Sequence, residues 1–262
     1  MINNNETTGR ITTSKGNQLK YQDGQFWYKA DNLGYEGAAE FITSRILEHS
    51  NVYEFVRYKM CFVENSGKKN GCRSENFLND GDEIITADRM FKYMVSAEFP
   101  SNIKRMNLSD SIQYFVDNVV KNTDINNFGQ LLTKMLEVDQ LILNDDRHFN
   151  NIAFIRNNKG KYSMTPLFDN GGAFMSDTMS YPLENSVYGL IPKVTAKPFN
   201  SDFDSQVDAC HKLYGKQLTI DNEDCISDRD WEEVQTRYGE KIMTRIKSVW
   251  EHQSYIYTEY FR

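Results

Sequence analysis

Residues 144–151 read Asn144-Asp145-Asp146-Arg147-His148-Phe149-Asn150-Asn151, the densest polar cluster in a chain of 262 residues. The cluster follows a long apolar segment and precedes a short one, Ile152-Ala153-Phe154-Ile155. Phosphoryl transfer needs a carboxylate that orients or deprotonates an acceptor hydroxyl, and oxygen ligands that hold magnesium against phosphates. An Asp followed five residues later by an Asn supplies both from one loop, and Asp146 with Asn151 has that spacing. After a turn at Asn157-Asn158-Lys159-Gly160, the run Tyr162 to Phe168 delivers Asp169-Asn170-Gly171-Gly172. A carboxylate there can bind magnesium, and the glycines let the chain turn away close to a ligand.

Spacing alone is weak, because Asp145 and Asn150 form a second pair of the same kind in an asparagine-rich chain. The weight lies in the order of elements. Upstream, Ile112, Phe115/Val116 and Val119/Val120 mark one helix, with Ser109 or Asp110 able to cap it. Phe128, Leu131/Leu132, Met135, Val138 and Ile142 mark a second helix that runs into the polar loop. Helix, charged loop, hairpin and Asp-x-Gly then follow in sequence. Residues 176–230 read as irregular, and a last helix starts at Asp230, with Asp230 and Glu233 at capping-box spacing.

The front of the chain has a different texture. Residues 18–22 and 25–30 are aromatic-rich runs around Asp23-Gly24, which predicts a hairpin. Residues 38–49 predict a helix, and 57–64 with 70–77 predict further strands. Lys29 falls inside the second aromatic strand, and Glu40 lies eleven residues on, in the helix. A strand Lys held by a helix Glu is the pair that positions ATP phosphates in kinases. Thr12-Thr13-Ser14-Lys15-Gly16-Asn17 is a small-residue turn whose backbone N–H groups could cover phosphates, although it lacks the Walker A pattern. A β-rich front followed by an α-rich back is an α+β arrangement, with a cleft between lobes as the natural ligand site.

Composition narrows the classes. Hydrophobic content of 39% and 13% aromatics describe a globular chain, and a net charge of −7 offers no global basic field for nucleic acid. Direct DNA or RNA binding is therefore not expected. Cys61, Cys72, Cys210 and Cys225 show no C-x-x-C spacing, which argues for free thiols, and Cys210-His211 has no second ligand pair for zinc. No run of 18 apolar residues and no apolar segment after Met1 point to a membrane span or a signal, so a cytoplasmic protein is expected.

On these residues the chain resembles the HipA-like serine/threonine protein kinases, in the short form without the extra N-terminal domain. The resemblance runs through Phe26–Ala30, Glu40–Ile46, Cys72–Phe77 at the hinge, Asp145–Asn151 and Leu167–Gly172. The order Asp-Arg-His is also similar to the phosphatidylinositol kinases; typical protein kinases use His-Arg-Asp. The resemblance implies an α+β, two-lobed protein-kinase-like fold, with an N-lobe over 1–77 and a helical C-lobe over 78–262. It implies ATP and Mg2+ as cofactors, and transfer to a Ser or Thr hydroxyl of a protein substrate. Asp146 would be the catalytic base, with His148 bracing its loop. Asn151 and Asp169 would bind the metal. Lys29, oriented by Glu40, would meet the α- and β-phosphates, and Ser14, Lys15, Gly16 and Phe77 would complete the nucleotide site. Arg147 would neutralise Asp145 or approach substrate.

Family members silenced by autophosphorylation of a phosphate-loop Ser make Thr12, Thr13 and Ser14 candidates for modification, and an antitoxin-type partner is a further expectation. Two departures stand out: the phosphate loop is poor in glycine, and Asp-Asn-Gly replaces Asp-Phe-Gly. Two alternatives stay open on sequence. One is a small-molecule phosphotransferase on the same core, for which the acidic stretch 221–233 would attract a cationic substrate. The other is a pseudokinase acting as a binding module.

Overall fold

The computed structural model describes residues 18–64, 68–96 and 98–262. The aromatic runs pair as β1 (Lys20–Asp23) and β2 (Phe26–Ala30), joined by Gly24-Gln25. Asp23 thus closes the first strand opposite Phe26 and is not itself in the turn. Helix α1 (Glu36–Glu48) follows, burying Ala38, Ala39, Ile42, Ile46 and Leu47. Strands β3 (Tyr58–Glu64) and β4 (Lys68–Glu75) complete an antiparallel sheet in the order β1-β2-β4-β3. Within it Lys29 stands opposite Lys20 on one side and Cys72 on the other. Insertion of β4 beside β2 puts the Lys29 strand in the interior of the sheet, where its register is fixed from both edges.

A second sheet of three short strands lies behind. Its members are β5 (Glu83–Thr86), then, after four helices, β6 (Ala153–Arg156) and β7 (Tyr162–Met164), in the order β5-β6-β7. The intervening helices are α2 (Ala87–Met94), α3 (Phe99–Arg105), α4 (Leu108–Thr123) and α5 (Phe128–Ile142). α4 is capped by Asn107, whose Oδ1 accepts from the Asp110 backbone at 2.9 Å, two residues before the Ser109 and three before the Asp110 expected. α5 is buried on nearly every side and carries the buried polar residues Glu137, Asp139 and Gln140. Phe115 of α4 is the hub of an aromatic cluster, with ring centroids 5.0 Å from Phe91, 5.6 Å from Phe128 and 5.2 Å from Phe149. Burial of each ring stabilises the fold by about 1.5–3 kcal/mol, before any ring–ring contribution.

Residues 176–230 are not irregular throughout. The short α6 (Val187–Leu190) is followed by α7 (Phe203–Tyr214), capped by Asp202 and buried through Phe203, Val207 and Cys210. The final helical region is two helices where one was expected: α8 (Asp228–Tyr238) and α9 (Glu240–Ile256). Gly239, at φ +85°, breaks them, a conformation that a side chain would make costly. The capping box at the start of α8 is Ser227 with Asp230, so the spacing Asp230/Glu233 was one turn late. Among the described residues no helix is long and apolar enough to cross a membrane, and the four cysteines are unpaired.

The candidate active site

The loop 144–151 is anchored from both sides of the chain. α5 ends in Leu143, held at φ +53°, and the following Asn144 turns back to donate its amide to Asp139 at 2.8 Å. Phe149 then drives into the aromatic cluster, which commits one side of the loop to the core. Asp145, Asp146, His148 and Asn151 are left lining a cleft beneath the four-stranded sheet. Asn150 is not in that lining; its Oδ1 accepts from Thr86 Oγ1 at 3.2 Å. The two overlapping Asp/Asn pairs are therefore unequal, since Asp146/Asn151 has both members on the cleft and Asp145/Asn150 only one.

Arg147 is wholly buried and braces the loop from behind, where the sequence suggested Asp145 or a substrate as its partner. Its Nε and Nη2 donate to Asp139 at 2.8 and 3.0 Å, and its Nη1 donates to the carbonyls of Asn151 and Phe168. Nη2 also donates to Asn170 Oδ1 at 2.6 Å. Burial works against the guanidinium charge, but Asp139 outweighs it and raises the Arg147 pKa. Arg147 thus braces the loop from the core side. The His148 imidazole faces the cleft, its Nε2 3.8 Å from Asp146 Oδ1. Asp145 accepts a 2.8 Å hydrogen bond from the Tyr181 hydroxyl.

Across the cleft, Lys29 Nζ lies 2.7 Å from Glu40 Oε1, 2.8 Å from Asp169 Oδ1 and 3.2 Å from the Tyr58 hydroxyl. The second oxygen of Glu40 accepts the backbone N–H of Asn170 at 2.9 Å. Glu40 therefore holds the strand lysine and the Asp169 segment at once, one carboxylate oxygen for each. This answers how an Asp-Asn-Gly segment is fixed without the phenylalanine: the backbone N–H of Asn170 is tied to α1, and its side chain to Arg147. Asp169 itself adopts φ +58°. Gly172 is required for a different reason from the one expected, because a Cβ there would meet Asp146 Cβ at 2.8 Å and Asn144 Oδ1 at 3.0 Å. The close approach is to the loop.

Burial alone would raise the pKa of the Asp169 carboxyl; Lys29 first, and then Lys20, outweigh burial and hold it well below the usual carboxylate range. Lys29 is pulled down by burial but raised further by Asp169 and Glu40. Lys20, from β1, adds a second cation 3.6 Å from Asp169, and burial together with Lys29 lowers its pKa. Asp169 and Lys29 therefore meet in their charged forms at neutral pH.

Lys29, Glu40, Asp146, His148, Asn151 and Asp169 thus share one cleft, as their motifs implied. Phe77 does not line it. Its ring packs 6.2 Å from Phe168, the residue before Asp169, and borders a neighbouring cavity with Phe26, Phe55 and Arg73. Thr12, Thr13, Ser14, Lys15 and Gly16 lie outside the described residues. Sequence reasoning missed Lys20, Tyr181 and Lys197, whose Nζ is 3.3 Å from Asp146 Oδ1. Lys20 was legible in principle, because a hairpin turning at Gly24-Gln25 sets it directly opposite Lys29. Nothing local marks the other two.

The donor set suits a magnesium nucleotide. Asn151 Nδ2 donates to the Asp146 carbonyl at 2.8 Å, which leaves the amide oxygen as its metal-facing atom, and Asp169 supplies a carboxylate. Among the described residues no cluster of three or more His, Cys, Asp or Glu could hold a metal ion. Magnesium bound with a nucleotide takes only one or two protein oxygens, the rest coming from phosphates and water.

No protein-family model matches the sequence, and no curated protein matches it either. Solved structures do match in fold. A proinflammatory kinase from Helicobacter pylori, CtkA, superposes with a TM-score of 0.61 at 16% identity, over 97% of this chain and 91% of that one. HipA from Shewanella oneidensis, in a toxin–antitoxin complex with HipB and operator DNA, superposes with a TM-score of 0.51 at 14% identity, over 99% of this chain and 67% of that one. The chain therefore carries an α+β, two-lobed kinase fold of the HipA-like kind.

Proposed function

We propose that this protein is an ATP- and magnesium-dependent kinase that transfers the γ-phosphoryl group to a Ser or Thr hydroxyl of a protein. The observation that carries the reading is the meeting of Lys29, Glu40 and Asp169 with Asp146 and Asn151 in one cleft. When bound, the magnesium nucleotide supplies the phosphoryl group and the counter-charge for its transfer. Lys29, aimed by Glu40, holds the α- and β-phosphates, with Lys20 beside it. Asp169 and Asn151 hold the metal. Asp146 orients the acceptor hydroxyl and takes its proton. The lobes divide after residue 77, between the end of β4 and the start of β5.

A protein acceptor is the reading taken from the resemblance to HipA-like kinases; one structural neighbour is described as a kinase and the other as part of a toxin–antitoxin system with HipB and operator DNA. An antitoxin-type partner and a cytoplasmic setting belong to the same reading. Incubation with γ-labelled ATP and magnesium, with protein acceptors in one arm and sugars or aminoglycosides in the other, tests it. Label is expected in protein, including this chain. Label only in small molecules would refute protein-kinase activity, and none anywhere would refute phosphotransfer.

A further inference from the structure

Lys197 reaches the site from a segment that none of the motifs touches. It lies in the turn between α6 and α7, and its Nζ stands 3.3 Å from Asp146 Oδ1, the oxygen that His148 Nε2 approaches to 3.8 Å. The backbone of the turn is built to hold it there. Gln206, fully buried on α7, donates through Nε2 to the Lys197 carbonyl at 3.0 Å and accepts the Phe199 N–H at the same distance. Phe199 packs its ring 5.4 Å from Phe115 and 5.5 Å from Phe149, the aromatic anchor of the 144–151 loop. The turn and the loop are thus pinned to the same cluster, so the core sets the Lys197 backbone within reach of Asp146.

Stability gives little reason for this arrangement. The Lys197 side chain is 37% exposed, and an ion pair so placed contributes only about 0–1 kcal/mol. The charge balance of the cleft gives a better one. Lys20 and Lys29 gather at the Asp169 end, whereas Asp145 and Asp146 face the end where an acceptor would enter. A phosphoryl group arriving between two carboxylates needs a cation on that side.

We infer that Lys197 is a catalytic cation that contacts the transferred phosphoryl group; the inference rests on the phosphotransferase reading above. In the step, the acceptor oxygen forms a bond to the γ-phosphorus as its proton passes to Asp146. The bond from that phosphorus to the β–γ bridging oxygen breaks, and its electron pair leaves with ADP. Three equatorial oxygens carry the moving charge, and the Lys197 ammonium donates to one of them. Its approach to Asp146 also puts it beside the acceptor oxygen throughout.

The test compares the full chain with Lys197→Met and Lys197→Arg. ADP release gives kcat and KM for ATP, titration with magnesium–ATP gives Kd, and the melting temperature reports on the fold. Lys197→Met should lose about 100-fold in kcat, the effect of removing one preorganised donor, with KM, Kd and melting temperature unchanged. Lys197→Arg should recover at least about tenfold of that loss, since it restores a cation at the site. A Met variant that keeps wild-type kcat, or that loses nucleotide affinity in step with kcat, overturns the assignment. So does a faster Met variant, which would mean that the ammonium blocks the acceptor. If the wild type turns over no ATP, the phosphotransferase reading fails and takes this inference with it.

Discussion

Glu40→Gln keeps the shape of the side chain and removes one charge, yet the structure predicts a large effect. Glu40 is 1% exposed and meets two donors, Lys29 Nζ at 2.7 Å and the Asn170 N–H at 2.9 Å. A carboxylate accepts from both. An amide offers one accepting oxygen and one N–H2, so in either rotamer a donor faces a donor. The variant forfeits one charge-assisted hydrogen bond, about 1.5–3 kcal/mol, and leaves buried donors unpaired at a further 1–3 kcal/mol or so. Asp169 still holds Lys29 at 2.8 Å and softens the loss, so about 3 kcal/mol is the expected destabilisation. For a chain of this size that is a fall of roughly 6–12 °C in melting temperature. Urea unfolding of both proteins by circular dichroism measures it. A loss below about 1 kcal/mol would refute the claim that one carboxylate holds both the strand lysine and the Asp169 segment.

Arg147→Met should lose about 3–5 kcal/mol in the same assay, because it strands the Asp139 charge in the core, and adding Asp139→Leu should recover part of that loss. A double variant no more stable than the single one would deny the pairing. Asp31 supplies a pH prediction. Burial first, and then Glu36, raise its pKa from 3.8 to about 7. The folded state keeps this proton over a range where the unfolded chain has released it, so stability falls as pH rises from about 4 to about 7, by at most about 4 kcal/mol. Asp31→Asn removes that slope. The variant should therefore gain on wild type between pH 4 and pH 7 and hold its lead above pH 7, and a pH-independent difference would contradict it.

Much of the site was legible in the sequence, since Lys29, Glu40, Asp146, Asn151 and Asp169 sit at spacings that a strand, a helix, a loop and a hairpin convert directly into geometry. What escaped is what depends on tertiary approach. Arg147 was expected to neutralise Asp145 or approach substrate, but the side chain turns inward to Asp139, near the end of α5, where only the folded packing can bring it. Lys197 and Tyr181 reach the loop from segments with no periodicity of their own. α7 did carry a signal, an Asp202 cap followed by apolar Phe203, Val207 and Cys210, but it was hidden in a polar stretch. The α8–α9 break was hidden the opposite way, because Gly239 interrupts an apolar stripe that continues on both sides. β5 is four residues long with a charged start, too short to alternate visibly.

If the chain transfers phosphate as proposed, Asp146 and not its neighbour is the carboxylate on which transfer should turn. Asp146 lines the cleft with Asn151 and meets the Lys197 ammonium at 3.3 Å, whereas Asp145 is engaged by the Tyr181 hydroxyl and its spacing partner Asn150 by Thr86. The decisive measurement is phosphate transfer from labelled ATP with magnesium by wild type, Asp146→Asn and Asp145→Asn. Asp146→Asn should abolish transfer while Asp145→Asn retains much of it. Equal loss in the two variants, or an active Asp146→Asn, would contradict it.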